Sequence, residues 1–190
     1  KNRYSKKEDW QCTHLTWVSH VSGKRESRRV MGDYILREQD LTRPIHHEDE
    51  TCTTTWRIDQ HYPMEKNSRD YPKAEWMSYG VLTPIDFYAL PYRCFYSKDV
   101  ANMFMAGRNI SVTHIALGST RVMRTCGLIG EVVGMAAKVC AEHKAMPRDV
   151  YKTYFEDLKA LMRKGTGRTD VPYTQFYHQV DRTGHQAEDR

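Results

Sequence analysis

Between Gly107 and His114 the chain places a guanidinium (Arg108), an amide (Asn109), two hydroxyls (Ser111, Thr113) and an imidazole (His114) in one short loop. Such groups donate hydrogen bonds to a negative or electron-rich partner, and the imidazole can also move a proton near neutral pH. The run Met103-Phe104-Met105-Ala106 just before it is short, continuous and apolar, the pattern of a strand buried on both faces. Gly107 breaks that run. A strand, a glycine-broken loop and a helix start make a binding geometry, because free N–H groups and the positive helix end favour negative charge. The same composition would equally serve an ordinary, internally bonded loop, so a second signal is needed.

The elements that must position these groups follow from spacing. The loop is expected over Arg108 to Gly118, and a helix from about Ser119 to His143, capped by Ser119 or Gly118. At helical spacing Arg124, Glu131, Lys138 and Glu142 form a narrow polar stripe. Gly127, Gly130, Gly134, Ala137 and Ala141 form a stripe of small residues beside it, and Val122, Ile129, Val132, Val133, Ala136 and Cys140 take the remaining face. This predicts a core helix with only a thin edge in solvent. Each glycine costs about 1 kcal/mol of helix stability relative to alanine, so close approach of a sheet, another helix or a flat ligand is expected to offset it. Arg121 falls on the apolar side of the first turn; either it has a buried partner or its long side chain curls out into water.

Elsewhere the pattern is plainer. Leu15 to Val18 reads as a short strand after a polar start, Ser22 to Arg29 as a turn, and Val30 to Leu36 as a strand or short helix. Thr42 to Glu50 reads as a connection and Thr53 to His61 as β-rich. Met64 to Lys73 reads as an exposed loop, and Val81 to Phe95 as short strands and turns. A second, amphipathic helix is predicted from Pro147 to Gly165, with Pro147 at its first position, and a polar tail from Thr166.

The totals exclude several classes. With 190 residues the chain is long enough for a real core, and no apolar stretch is long enough to span a membrane as a helix. No signal peptide is seen at Lys1 to Trp10. The net charge of +5 comes from scattered Lys and Arg residues, which argues against a nucleic-acid interface. Five cysteines lie far apart, with no spacing suited to zinc and no even count for a disulfide framework. His46 and His47 adjoin Glu48, Asp49 and Glu50, but neighbouring loop residues of this kind usually face water, and no metal is expected.

The second signal is a resemblance. Ala106-Gly107-Arg108-Asn109-Ile110-Ser111, then Thr113 to Met123, then Gly130 to Ala137 resemble the C-terminal flavin-site segment of a bacterial FAD-dependent oxidoreductase family. Arg25 to Tyr34, Trp56 to Pro63 and Pro91-Tyr92-Arg93-Cys94 support it, so the likeness runs in order from about Gly23 to Lys164. It implies FAD as cofactor and hydride transfer between a small organic substrate and the flavin. Some relatives carry polysaccharide-lyase names, which leaves a carbohydrate among the substrates. It places Gly107, Arg108, Asn109, Ser111, Gly118, Ser119, Thr120, Arg121 and Val122 near the flavin ring. His61 and His114 become candidate bases, and Arg29 and Arg93 candidate substrate contacts.

The implied fold class is α/β, the C-terminal part of a two-domain FAD-binding (Rossmann-like) flavoprotein with a mainly β substrate-side region. Residues 1–100 are expected to be part of that region, 101–165 the closing strand and helices of the FAD domain, and 166–190 an arm or tail. One departure is large: no GxGxxG occurs, so the pyrophosphate-binding N-terminal half is absent from these residues. The chain is therefore expected to be a fragment that is inactive alone and needs that half as partner. The alternative is a non-enzymatic binding or assembly module that keeps the fold without flavin. Substrate identity, electron acceptor, oligomeric state and compartment are not legible.

Overall fold

Irregular segments, hydrogen-bonded to one another, make the centre of the molecule. The computed structural model describes residues 14, 16–20, 26, 28–43, 45–63 and 78–166. Val30 N–H donates to the Asn109 carbonyl (3.0 Å), Leu36 N–H to Ser111 (3.1 Å), and Thr113 N–H back to Leu36 (2.8 Å). Ser111 N–H in turn donates to the Cys94 carbonyl (3.0 Å), and Met105 N–H to Phe95 (2.7 Å). Buried backbone groups must be paired, and here each segment satisfies the next. Gly32 lies at the crossing: a Cβ there would stand 2.4 Å from the Arg93 carbonyl oxygen. Tyr92, Phe95 and Tyr96 fill this centre and are buried, in a hydrophobic cluster that runs from Leu36 to Met162.

Helices and strands surround the weave, so the fold is mixed helix and strand. Strand β1 (Glu50–Thr54) pairs antiparallel with β4 (Tyr88–Pro91), and β2 (Ile58–Pro63) with β3 (Ser78–Thr83). Thr53 to His61 is thus two strands, interrupted at residues 55–57, and each joins a different sheet. Val81 to Phe95 forms the short elements expected, ending in a 3₁₀ turn at Tyr92–Cys94. Helix α1 (Glu38–Thr42) precedes β1. Residues 16–20 have no regular secondary structure and are exposed; Leu15, the loop Met64 to Lys73 and the tail beyond Thr166 lie outside the described residues.

Two expectations are corrected. Met103–Ala106 is not a strand between parallel neighbours: Phe104 makes one isolated antiparallel bridge with Tyr96, Met105 is buried, and Ala106 is exposed. Residues 95–97 pair along this run, and the only parallel pairing among the described residues is the bridge between Leu36 and Val112. The predicted loop ends at Thr113, five residues early, and the single helix is instead two, α2 (His114–Thr120) and α3 (Met123–His143). Helix α2 lies on β2 while α3 packs on β1, and one straight helix cannot satisfy both contacts.

The second predicted helix also divides, into α4 (Pro147–Lys152) and α5 (Phe155–Lys164), with Pro147 starting the first and Gly165 (φ 68°) ending the second. At the break Tyr154 stacks on His143 of α3, with ring centroids 4.0 Å apart. Helix α3 buries Thr125, Leu128, Ile129, Val132, Ala136 and Val139. Its small-residue stripe is not closely packed: Gly127, Gly134, Ala137 and Ala141 are exposed, so far more than a thin edge meets solvent. No helix among the described residues is long and apolar enough to cross a membrane.

Candidate functional site

Helix α2 reaches the backbone of β2 because residue 118 has no side chain. A Cβ on Gly118 would stand 2.8 Å from the Asp59 carbonyl oxygen and 2.5 Å from Gln60 Nε2. The contact is fastened at both ends of the helix. Gln60 Nε2 donates to the Ile115 carbonyl (2.8 Å), and Ser119 Oγ to the Trp56 carbonyl (2.7 Å). Thr54 Oγ1 adds a bond to the Ser119 carbonyl (3.2 Å) and lies 3.3 Å from Thr125 Oγ1. Ser119 is therefore an internal clamp, not a helix cap. Helix α2 instead begins after Thr113, which is extended (ψ 163°) and whose carbonyl accepts the N–H of Leu117 at 3.0 Å.

This packing opens a cleft of about 170 Å³ between the start of α2, its C-terminal end and β2. Glu26, Asp59, His61, Arg108, His114 and Arg121 supply its charged or titratable walls, with Gln60, Leu117 and Gly118 behind them. Five residues singled out in the sequence, His61, Arg108, His114, Gly118 and Arg121, thus meet, His61 from β2 and the others from the stretch between Arg108 and Arg121. Asp59 and Glu26 escaped notice there. Asp59 had a legible signal: it is two residues from His61 on a strand, so both side chains leave the same face. Glu26 had none, because its partner is 88 positions away.

Each histidine is paired with a carboxylate. His61 Nε2 lies 2.9 Å from Asp59 Oδ1, and His114 Nδ1 lies 2.7 Å from Glu26 Oε1. Each carboxylate also has an arginine. Arg121 donates to the Asp59 carbonyl (2.9 Å) and lies 3.6 Å from its Oδ2, while Arg29 bonds Glu26. Arg121 therefore has its partner, and it sits at the junction of α2 and α3, not in the first turn of one long helix. Burial pushes the Glu26 carboxyl up, but hydrogen bonding and charge from His114 and Arg29 outweigh it and hold the group below its ordinary value. Arg108 is exposed and has no ion pair or hydrogen bond among the described residues.

The remaining expected residues lie around the cleft or away from it. Gly107 adopts φ 97°, the left-handed region that suits glycine, and its role is to turn the chain. Asn109 is exposed and gives its carbonyl to Val30; Val122 is the extended residue before α3. Ser111 and Thr120 are buried, and neither hydroxyl has a partner among the described residues. Burial pushes the neighbouring Cys126 thiol up, with Arg108 pulling the other way, and its Sγ lies 3.5 Å from the Thr120 carbonyl.

Arg93 lies away from the cleft, on the buried Asp49. Its guanidinium takes both oxygens of the buried Asp49 (3.0 and 2.8 Å) and lies over the rings of Tyr34 and Tyr151. It does not line the cleft, and the Asp49 bond holds its pKa above the ordinary value. Arg29 likewise stands behind Glu26, outside the cleft wall.

The family model for FAD dependent oxidoreductase matches residues 3–162. The chain belongs to the FAD dependent oxidoreductase family. No curated protein and no solved structure matches it. FAD is the cofactor this family implies. Arg108 and Arg121, the two guanidinium groups of the cleft wall, are donors that fit the polar edge of a flavin ring; the orphaned hydroxyls of Ser111 and Thr120 are buried and do not line the cleft. The cleft is smaller than the ~300–1,000 Å³ of pockets that enclose a whole ligand, so it can take one end of a larger group.

Proposed function

We propose that this oxidoreductase transfers a hydride between an organic substrate and FAD, and that the cleft beside α2 receives the reacting end of the substrate. The observation that carries this reading is the convergence of two carboxylate-paired histidines and Arg108 on one small cleft in a chain of this family. FAD, when bound, supplies the two-electron acceptor. His61 and His114 offer an imidazole to take the proton that must leave with the hydride. Arg108, the cation without a partner among the described residues, stabilises negative charge that develops there. Arg121 is held by Asp59 at the end of α2, and Gly118 to Val122 bring the polar groups of that turn toward the ring. Arg29 acts through Glu26. A carbohydrate is the substrate class to screen first.

We further propose that the pyrophosphate of FAD is held by a glycine-rich strand–turn–helix outside these residues, and that the open small-residue face of α3 packs against it. The space beside Gly127, Gly130 and Gly134 supports this: among the described residues nothing lies within 4 Å of where their Cβ atoms would be. The experiment is a visible absorption spectrum and an intact mass of the protein purified from its native source. Flavin bands with a mass above that of these 190 residues are the expected result. A colourless, well-folded protein would overturn the oxidoreductase reading in favour of a flavin-free module.

A further inference from the structure

The two histidine–carboxylate pairs of the cleft differ in which ring nitrogen they use. His61 Nε2 lies 2.9 Å from Asp59 Oδ1 without hydrogen-bond geometry, whereas His114 Nδ1 is hydrogen-bonded to Glu26 Oε1 at 2.7 Å. An ionised carboxylate only accepts hydrogen bonds, so the nitrogen facing it carries the proton and the other nitrogen of a neutral imidazole keeps a lone pair. For His114 that other nitrogen is Nε2, which has no hydrogen-bond partner among the described residues. Arg29 bonds the same Glu26 oxygen, which favours its ionised form and keeps it an acceptor.

We infer that Glu26 is a positioning residue that holds His114 in its Nδ1–H form, making His114 Nε2 the proton acceptor of the cleft. The inference rests on the reading of the cleft as the reacting site. In the oxidation of a C–OH group, the C–H bond breaks with its electron pair leaving as hydride to the flavin, the oxidant. The O–H bond breaks with its proton passing to His114 Nε2, and a C=O bond forms. Two electrons and two hydrogens leave the substrate, and all are accounted for. The charged and titratable groups around His114 are Glu26, Asp59, His61, Arg108 and Arg121. Two of them, Asp59 and Arg121, are engaged with each other, which leaves Glu26 as the carboxylate that orients this imidazole.

The tautomer can be read directly. Two-bond ¹H–¹⁵N correlations of the full chain, ¹⁵N-labelled at histidine, would be recorded at a pH of about 8, where imidazoles are neutral. The His114 signals would be assigned by their loss in His114→Gln. The wild-type protein is expected to show His114 as Nδ1–H. Glu26→Leu should move it toward the Nε2–H form that imidazole favours in water, while Glu26→Gln, whose amide oxygen still accepts, should keep Nδ1–H. Asp59→Leu should leave His114 alone. An Nε2–H pattern for His114 in the wild type would overturn the inference, with no variant required to fold. So would a pattern indifferent to Glu26→Leu in a folded variant. Flavin absorbance on FAD-supplemented samples keeps the two failures apart. Bound flavin with the wrong tautomer sinks only the assignment of His114. The right tautomer without flavin binding, in the protein as purified from its native source, sinks the proposed function and leaves the Glu26–His114 geometry standing.

Discussion

Gly118 in α2 lies against β2 so closely that a Cβ would stand 2.8 Å from the Asp59 carbonyl oxygen, whereas Gly127, Gly130 and Gly134 in α3 have nothing within 4 Å. The helices are consecutive and both rich in small residues, yet only the first uses its glycine within the described structure. At α2 the missing side chain lets a helix and a strand touch, and the cleft forms beside that contact. At α3 the glycines weaken the helix by about 1 kcal/mol each, and no described neighbour offsets this. A glycine on a helix therefore marks close approach in one case and an open surface in the other.

Substitutions at the two faces should have opposite signs. Gly118→Ala has the largest expected effect, a loss of about 1–3 kcal/mol in denaturant unfolding, because besides Gln60 Nε2 the new methyl group would crowd the Asp59 backbone, which cannot swing aside. No loss would mean that α2 does not rest on β2. Ser119→Ala comes next: it removes the bond to the Trp56 carbonyl from a buried clamp and should cost roughly 1–2 kcal/mol in the same assay. Gly134→Ala is expected to raise stability by up to about 1 kcal/mol, since the new methyl group meets nothing and alanine is the better helix former. In flavin-loaded protein the same change should instead weaken FAD retention, if α3 packs there against the pyrophosphate-binding unit; equal retention would count against that packing.

The smallest effect concerns the charged wall of the cleft. Glu26 has a folded pKa below its ordinary 4.5, so its pairs stabilise the protein above that pH. As pH falls below 4.5 and through the lower folded value, the carboxylate takes up a proton and the contribution disappears. Glu26→Gln should therefore cost about 0–1 kcal/mol near neutral pH, as for a partly exposed ion pair, and progressively less as pH falls through the lowered folded value. A difference that persists unchanged in acid would show that the pairs with Arg29 and His114 are not its source.

Much of the site was legible from residue types. The loop from Gly107 to His114, the histidines and the basic residues were visible because polar groups concentrated beside a glycine break stand out locally. Arg121 was recognisable as a charge in need of a partner, and Asp59 could have been found as its partner's neighbour through strand alternation with His61. The break at Arg121 and Val122 was not legible. Helical spacing continues across it, and only the separate contacts of α2 with β2 and of α3 with β1 force the chain to turn. Arg93 was a candidate substrate contact, and nothing local announces that Asp49, 44 positions earlier, is buried beneath it.

The sequence by itself determined the family, the glycine turn at residue 107, the helical stretches and the kinds of chemical group available, because these depend on residue types and short spacings. Tertiary structure decided which of those groups share a cleft, which arginines are already neutralised, and which nitrogen of each histidine is engaged. Those are properties of pairs brought together across up to 88 positions of chain. A pairing of this kind is selected by tertiary packing and leaves no local pattern from which it can be read.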